Sequence, residues 1–229
     1  MQTFEHEPVP GLPEALPEGE RILWQGSPRV GALAVRAFHA RKVGIYLGLL
    51  VVARGLFAAA DGATAPEAIL AAAQVLPIAV LGVGILVGLA WAHARTTLYT
   101  ITNRRVVLRY GVALQMMVNL PFTAIVSASF RTFRDGTGDL PLVVRGDVGP
   151  SYLHLWPHAR PWRMARPEPA LRALPDAASV ARTLAEALLV HRSGEEADAA
   201  AEPPGPSPRP PSDGRVRVVT ANPLETVQS

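Results

Sequence analysis

Residues 68–93 read AILAAAQVLPIAVLGVGILVGLAWAH, and residues 43–60 read VGIYLGLLVVARGLFAAA. The longer stretch holds no Asp, Glu, Lys or Arg. It exceeds the roughly 20 apolar residues that cross a bilayer core. The shorter one is interrupted only by Arg54. A backbone in lipid must satisfy its own hydrogen bonds, so both stretches predict transmembrane helices. The link between them, Asp61-Gly62-Ala63-Thr64-Ala65-Pro66-Glu67, is short and polar. The pair therefore reads as a transmembrane helical hairpin, and the rest of the chain must sit where that hairpin places it.

Charge placement orients the hairpin. Arg36, Arg41 and Lys42 precede the first span, and Arg95, Arg104 and Arg105 follow the second. The link carries Asp61 and Glu67 and no Lys or Arg. The positive-inside rule then predicts cytoplasmic termini and a link on the other side. The N-terminus MQTFEHEPVPG lacks the basic and apolar pattern of a signal peptide. Apolar residues are 49% of the 229-residue chain but concentrate in the two spans, so the flanks read as ordinary soluble sequence.

Those flanks divide by pattern. Residues 1–15 are polar with Pro8, Pro10 and Pro13, and predict a flexible N-terminus. Residues 16–28 hold a first strand around Glu20–Gln25, stopped at Gly26-Ser27-Pro28. In 29–42, Val30, Leu33, Ala34, Ala37 and Phe38 form an apolar stripe with Arg29, Arg36 and His39 opposite. That pattern predicts an amphipathic helix lying on an anionic membrane surface. After Arg95 the period becomes two. Strands are expected at 96–102, 105–110, 112–120, 122–133, 140–145 and 151–156, with an Asp135-Gly136 hairpin turn. Residues 159–175 read as a proline-rich loop. Asp176 can cap a helix to about Val190, with Val180, Leu184 and Leu188 on one face. Residues 95–191 would thus complete one domain, and 192–229 form a disordered tail. The expected fold is an α+β membrane protein: an antiparallel β domain of about seven strands, a C-terminal helix, and the hairpin (43–60, 68–93) inserted after the first strand.

Within the hairpin, Gly44 and Gly48 make one G-x-x-x-G and Gly84 and Gly88 another. Small residues at this spacing let helices approach closely, either within the hairpin, in a homo-oligomer or against a partner protein. Arg54 costs on the order of 3 kcal/mol at mid-membrane. A bond to Gln74, Asp61 or Glu67, snorkelling to the surface, or a partner contact would offset that.

Catalytic signals are sparse, and no enzyme is expected. With no cysteine, thiolate chemistry and disulfides are excluded. No phosphate-cradling or dinucleotide glycine motif is present, nor a zincin or nucleophile-elbow motif. His154 and His158 are spaced for a metal on a helix, but Pro157 breaks a helix there, so no metal site is expected. Asp135 and Asp139 read as turn formers. His93, beside Trp91 at the end of the second span, is either an interface anchor or a ligand to the magnesium of a bacteriochlorophyll. Arg36, Arg41, Lys42, Arg104 and Arg105 are candidates for meeting lipid phosphates. The basic-aromatic interleaving of a nucleic-acid surface is missing.

Residues 16–28, LPEGERILWQGSP, resemble the opening of bacterial membrane-anchored pleckstrin-homology proteins, and 99–106, YTITNRRV, resemble their second signature. The resemblance implies a pleckstrin-homology-like β-barrel capped by its C-terminal helix. With His39-Ala40-Arg41-Lys42 before the hairpin and Pro121-Phe122 after it, the layout over 16–190 is similar to the photosynthetic complex assembly proteins of purple bacteria. That implies reaction-centre and core-antenna subunits as partners, an intracytoplasmic membrane location and no catalytic residues. The alternative is a membrane-anchored module that binds anionic lipid or a regulatory protein.

Overall fold

The computed structural model describes residues 12, 14–145, 151–161, 163–164 and 167–201. Most of the expected flexible segment 1–15, and residues 202–229 of the expected tail 192–229, lie outside these, while residues 192–201 of that expected tail are helical instead, because the closing helix runs on to Ala201. The chain begins with β1 (Ile22–Gly26), then α1 (Val30–Arg36), α2 (Ala40–Ala60), α3 (Ala65–Ala73) and α4 (Leu76–Thr96). β2 (Leu98–Thr102), β3 (Arg105–Tyr110) and β4 (Met116–Pro121) follow. A 3-10 turn at Phe122–Ala124 leads to β5 (Ile125–Ala128), β6 (Arg131–Thr132) and β7 (Gly138–Val144). The chain closes with α5 (Tyr152–Leu155), β8 (Ala170–Leu174) and α6 (Ala177–Ala201).

The hairpin forms, with one change. α2 has 21 residues, about 31 Å at 1.5 Å per residue. The second apolar stretch is broken into α3 and α4 at Gln74 and Val75. Pro77 explains the break. It has no amide for the Ala73 carbonyl, and its ring crowds that turn. The Val75 amide bonds back to the Ala72 carbonyl instead, at 3.1 Å, and the Ala79 amide restarts the ladder on Val75. α3 starts with a capping box between Thr64 and Glu67. Both helical stretches are long and apolar enough to cross a membrane, and only 6% and 11% of their most apolar windows are buried within the protein. A core helix of a soluble protein would be mostly covered.

The expected closed barrel does not form. Antiparallel strands make two sheets, one ordered β1-β2-β3-β4, the other built around β7, which pairs with β5, β6 and β8. Among the described strands, none bridges β4 to β5 or β1 to β8. Pro121 ends β4, and the 3-10 turn carries the chain to the second sheet. α6 supplies Ala177, Val180, Leu184, Ala187 and Leu188 to the core between the sheets, beside Tyr99, Ile101, Leu108, Leu142 and Leu171. Asp176 accepts the Ser179 amide at 3.1 Å, the expected N-cap.

Two local expectations are overturned. Residues 151–156 were expected as a strand, yet Tyr152–Leu155 is a helical turn. Tyr152 and Leu155 are three apart, so one turn puts both on the core side. Residues 170–174 were expected as loop but form β8. All five residues of ALRAL are buried, so the alternation that announces a half-exposed strand is missing. Ala173 sits at φ +54, a conformation costing an L-residue roughly 1–2 kcal/mol. Its amide donates to Asp139 Oδ1 at 2.8 Å, and its carbonyl accepts the Arg29 amide at 2.8 Å. Those bonds offset the strain and tie β8 to the entry of α1.

The predicted surface helix is also different. α1 is seven residues long, and Ala32, Leu33 and Ala34 are buried, with Phe38 just beyond. Its apolar face packs on Ala90 and Ala94 of α4 and on Ala173, so protein rather than lipid covers it. Ala90 and Ala94 lie one turn apart and let the two backbones approach.

His158 is buried among polar partners at this junction. The Tyr99 hydroxyl lies 2.7 Å from its Nδ1, and Thr97 Oγ1 lies 3.2 Å from its Nε2. The Arg172 amide donates to the Tyr99 oxygen at 3.2 Å. All are satisfied when Tyr99 donates to Nδ1 and Nε2–H donates to Thr97. Burial, then the proximity of His93 and Arg172, depresses the imidazole pKa to about 3. The folded protein thus keeps His158 neutral where the unfolded chain would protonate it. Stability is complete above the unfolded value near pH 6.5 and falls as pH drops toward 3. The limiting slope is about 1.4 kcal/mol per pH unit. Thermal unfolding in detergent between pH 7 and 4.5 should show this loss, and His158→Gln should flatten it. A second prediction concerns Gly138, where an added Cβ would meet the Arg131 carbonyl and the Ala177 methyl at under 3.0 Å. Gly138→Ala should destabilise by about 1–3 kcal/mol and lower the unfolding midpoint by several degrees.

Candidate functional site

A groove runs between α1, the first turn of α2 and the β6–β7 hairpin, with a volume near 930 Å³. A left-handed residue builds one wall. His39, at φ +54, turns the chain from α1 straight into α2 and sets Arg41 and Lys42 at the groove. The opposite wall is the FRTFRDGTGD hairpin, where Gly136 at φ +76 permits the turn that Asp135-Gly136 announces.

Arg36 latches the two walls. Its guanidinium donates to both oxygens of Asp135, at 2.7 and 2.8 Å, and to the Thr137 hydroxyl. Its carbon centre lies 3.5 Å above the Phe133 ring. Hydrogen bonds from Thr137 and then Arg36 hold the Asp135 carboxyl down at about 2. Arg36 was expected to face lipid. It is spent on this contact instead.

Seven cationic side chains and two carboxylates line the groove. Three of the cations are partnered. Arg36 is held by Asp135, Arg160 by Glu168 at 2.8 Å, and Arg172 by Asp139 at 3.6 Å. Arg41, Lys42, Arg131 and Arg134 are exposed and make no ion pair with any described residue. Sequence reasoning found Arg41 and Lys42. It missed Arg131 and Arg134, whose one signal was their place just before the Asp135-Gly136 turn, and only folding brings that turn against α1. Asp139, read as a turn former, instead joins β7 to β8 through the Ala173 amide.

Arg104 and Arg105, the other basic candidates, lie elsewhere. β2 starts two residues after α4 and carries the chain about 15 Å before the turn that holds them. Arg105 donates to Glu20 through two bonds, at 2.7 and 2.8 Å. Burial alone would raise the Glu20 pKa, but hydrogen bonds from Arg105 and Thr102 outweigh it and hold the carboxyl low. Arg105 is therefore a fold contact, not a lipid contact.

Of the alternatives open to the two glycine pairs, packing within the hairpin is mostly not realised. Only Gly44 approaches the other helix, with Val83 3.7 Å from the position of an added Cβ. Gly48, Gly84 and Gly88 face open space. The tight approach falls at Gly55, against the Ala72 methyl at 3.2 Å and the Ala68 carbonyl at 3.3 Å, and at Gly82 against Leu47 at 3.4 Å. Ala68 and Ala72 form the small-residue pair that sequence reasoning passed over. Arg54 is exposed and bonds to none of Gln74, Asp61 or Glu67. Glu67 serves Thr64.

His93 turns toward the β domain. Its ring lies 5.5 Å from Phe38 and 6.1 Å from Trp156, and Nδ1 is buried without a partner among the described residues. His154 is exposed while His158 is buried, so the two do not converge. No group of three His, Cys, Asp or Glu that could hold a metal occurs among the described residues.

Comparison with known proteins adds two findings. The family model described as a bacterial PH domain matches residues 45–188. An uncharacterized 23.7 kDa protein in the puhA 5′ region of Rhodobacter capsulatus is 45% identical over 186 residues, covering 80% of this chain and 86% of that protein. No solved structure matches. The match spans more than half of the chain, from the first apolar helix to the closing one, and so the protein belongs to the bacterial PH-domain family.

Proposed function

We propose that this protein is a non-enzymatic, membrane-anchored factor for assembly of the photosynthetic reaction centre and its core light-harvesting antenna. The observation that carries the proposal is the 45% identity to a protein encoded in the puhA 5′ region, a reaction-centre gene region. α2 with α3 and α4 spans the inner or intracytoplasmic membrane, both termini are cytoplasmic, and the PH-like domain sits on the cytoplasmic face. The low burial of the hairpin supports the span, and the basic residues beside its start support the orientation.

The open glycine face supports a client that is itself a membrane helix. Gly48, Gly84 and Gly88 leave shallow places where a partner backbone can approach, because the hairpin closes on itself through Gly55 and Gly82 instead. The PH-like domain would then receive the cytoplasmic part of the same subunit.

A tagged copy, solubilised from membranes during the onset of photosynthetic growth, should bring down reaction-centre or antenna subunits. Recovery of neither would reject the proposal. Gly84→Leu with Gly88→Leu should cut that recovery about tenfold, matching the 1–2 kcal/mol that interhelical contacts supply. Gly55→Leu should instead lower the amount of folded protein. In spheroplasts, external protease should leave the PH-like domain intact, and its digestion would reverse the assigned orientation.

A further inference from the structure

We propose that the groove between α1, the first turn of α2 and the β6–β7 hairpin binds the headgroup of an anionic glycerophospholipid. Arg41, Lys42, Arg131 and Arg134 contact the phosphate, and Val35 and Phe130 meet the start of the acyl chains. The proposal rests on the hairpin's lying in a bilayer and is independent of any client subunit.

Four observations converge on this site. The first is charge: those four cations line one cavity with no ion pair among the described residues, Arg131 resting over the Phe133 ring at 5.2 Å, while both lining carboxylates are already held by arginines. An incoming anion meets no free carboxylate of the lining. The second is depth. Arg41 and Lys42 begin the 21-residue apolar helix, so the groove mouth opens at the level of the headgroups. The third is the helix end itself. α2 has no side-chain N-cap and no acidic residue in its first turn. Two cations at the positive end of a helix dipole are unfavourable alone, and a bound phosphate reverses that sign. The fourth is the pairing of polar and apolar walls. Val35 is 40% exposed and Phe130 56% exposed, and both line the same groove. A diester phosphate with attached chains uses both kinds of surface, whereas free phosphate uses only the first.

The positive-inside rule accounts for Arg41 and Lys42 by themselves. It does not account for Arg131 and Arg134, which come from a hairpin far along the chain and are brought there by the Arg36–Asp135 latch. Cations of such a site each contribute on the order of 1 kcal/mol toward an anionic surface.

The test uses the full chain in neutral detergent micelles, with lipid retention read by native mass spectrometry. Phosphatidylglycerol or cardiolipin should be retained at least about tenfold better than phosphatidylcholine. Arg131→Gln with Arg134→Gln should abolish that preference, while Arg104→Gln, at the far end of β2, should leave it unchanged. A wild-type protein with no preference, or a double variant that keeps it, overturns the proposal. Displacement of the lipid by millimolar inorganic phosphate, or by an acidic peptide, also overturns it, by assigning the groove to that ligand. Because no client is present, failure here leaves the assembly reading standing, and failure of the pull-down leaves this one standing.

Discussion

The structure depends on a joint with almost no slack. α4 ends at Thr96 and β2 begins at Leu98. A helix long and apolar enough to cross a membrane thus continues into the first sheet through one residue, and any tilt of the helix becomes a tilt of the sheet. α1 stiffens this joint by laying Ala32, Leu33, Ala34 and Phe38 against Ala90, Ala94 and Ala173. The alanines matter because small side chains let α1, α4 and β8 approach closely enough to exclude water from a short interface. A flexible tether would let the domain wander. This one fixes how the PH-like domain is set against the apolar hairpin.

The same economy governs the hairpin. Pro77 breaks the second apolar stretch, so α3 folds closely on α2 through Gly55, Ala68 and Ala72 near the link. Contact there, with Gly44 and Gly82 closing on the facing helix, leaves Gly48, Gly84 and Gly88 uncovered. A hairpin whose glycines were all consumed internally would be a simple anchor. One that keeps Gly48, Gly84 and Gly88 open retains helix surface of the kind that membrane partners use.

Electrostatics divides the basic residues by role in a way that their number along the chain does not show. Arg105 is tied to the buried Glu20, and Arg36 to Asp135, so both hold the fold together. Their guanidiniums are planar and bidentate, which suits fixed carboxylate partners. Arg41, Lys42, Arg131 and Arg134 have no such partner among the described residues and gather at one groove.

Much of the outline was legible in the residues alone. Two charge-free or nearly charge-free apolar stretches dictate a hairpin, because lipid leaves the backbone no other partners. Alternation at Glu20–Gln25 announced β1, period-two sequence after Arg95 announced the other three strands of the first sheet, and Asp176 announced the start of α6. The failures share a cause. β8 was missed because both its faces are buried, and α1 was taken for a membrane-surface helix because an apolar stripe does not say what covers it. Closure into a barrel was implied by the family resemblance, although pairing between β4 and β5 depends on where Pro121 sends the chain. The groove was invisible for the same reason: Arg41 and Arg134 become neighbours only through contacts that no local pattern encodes. Local sequence carried whatever depends on hydrogen bonding and hydropathy within one segment. Tertiary structure alone decided which surfaces meet, because that choice is set by the shape and charge of segments far apart in the chain.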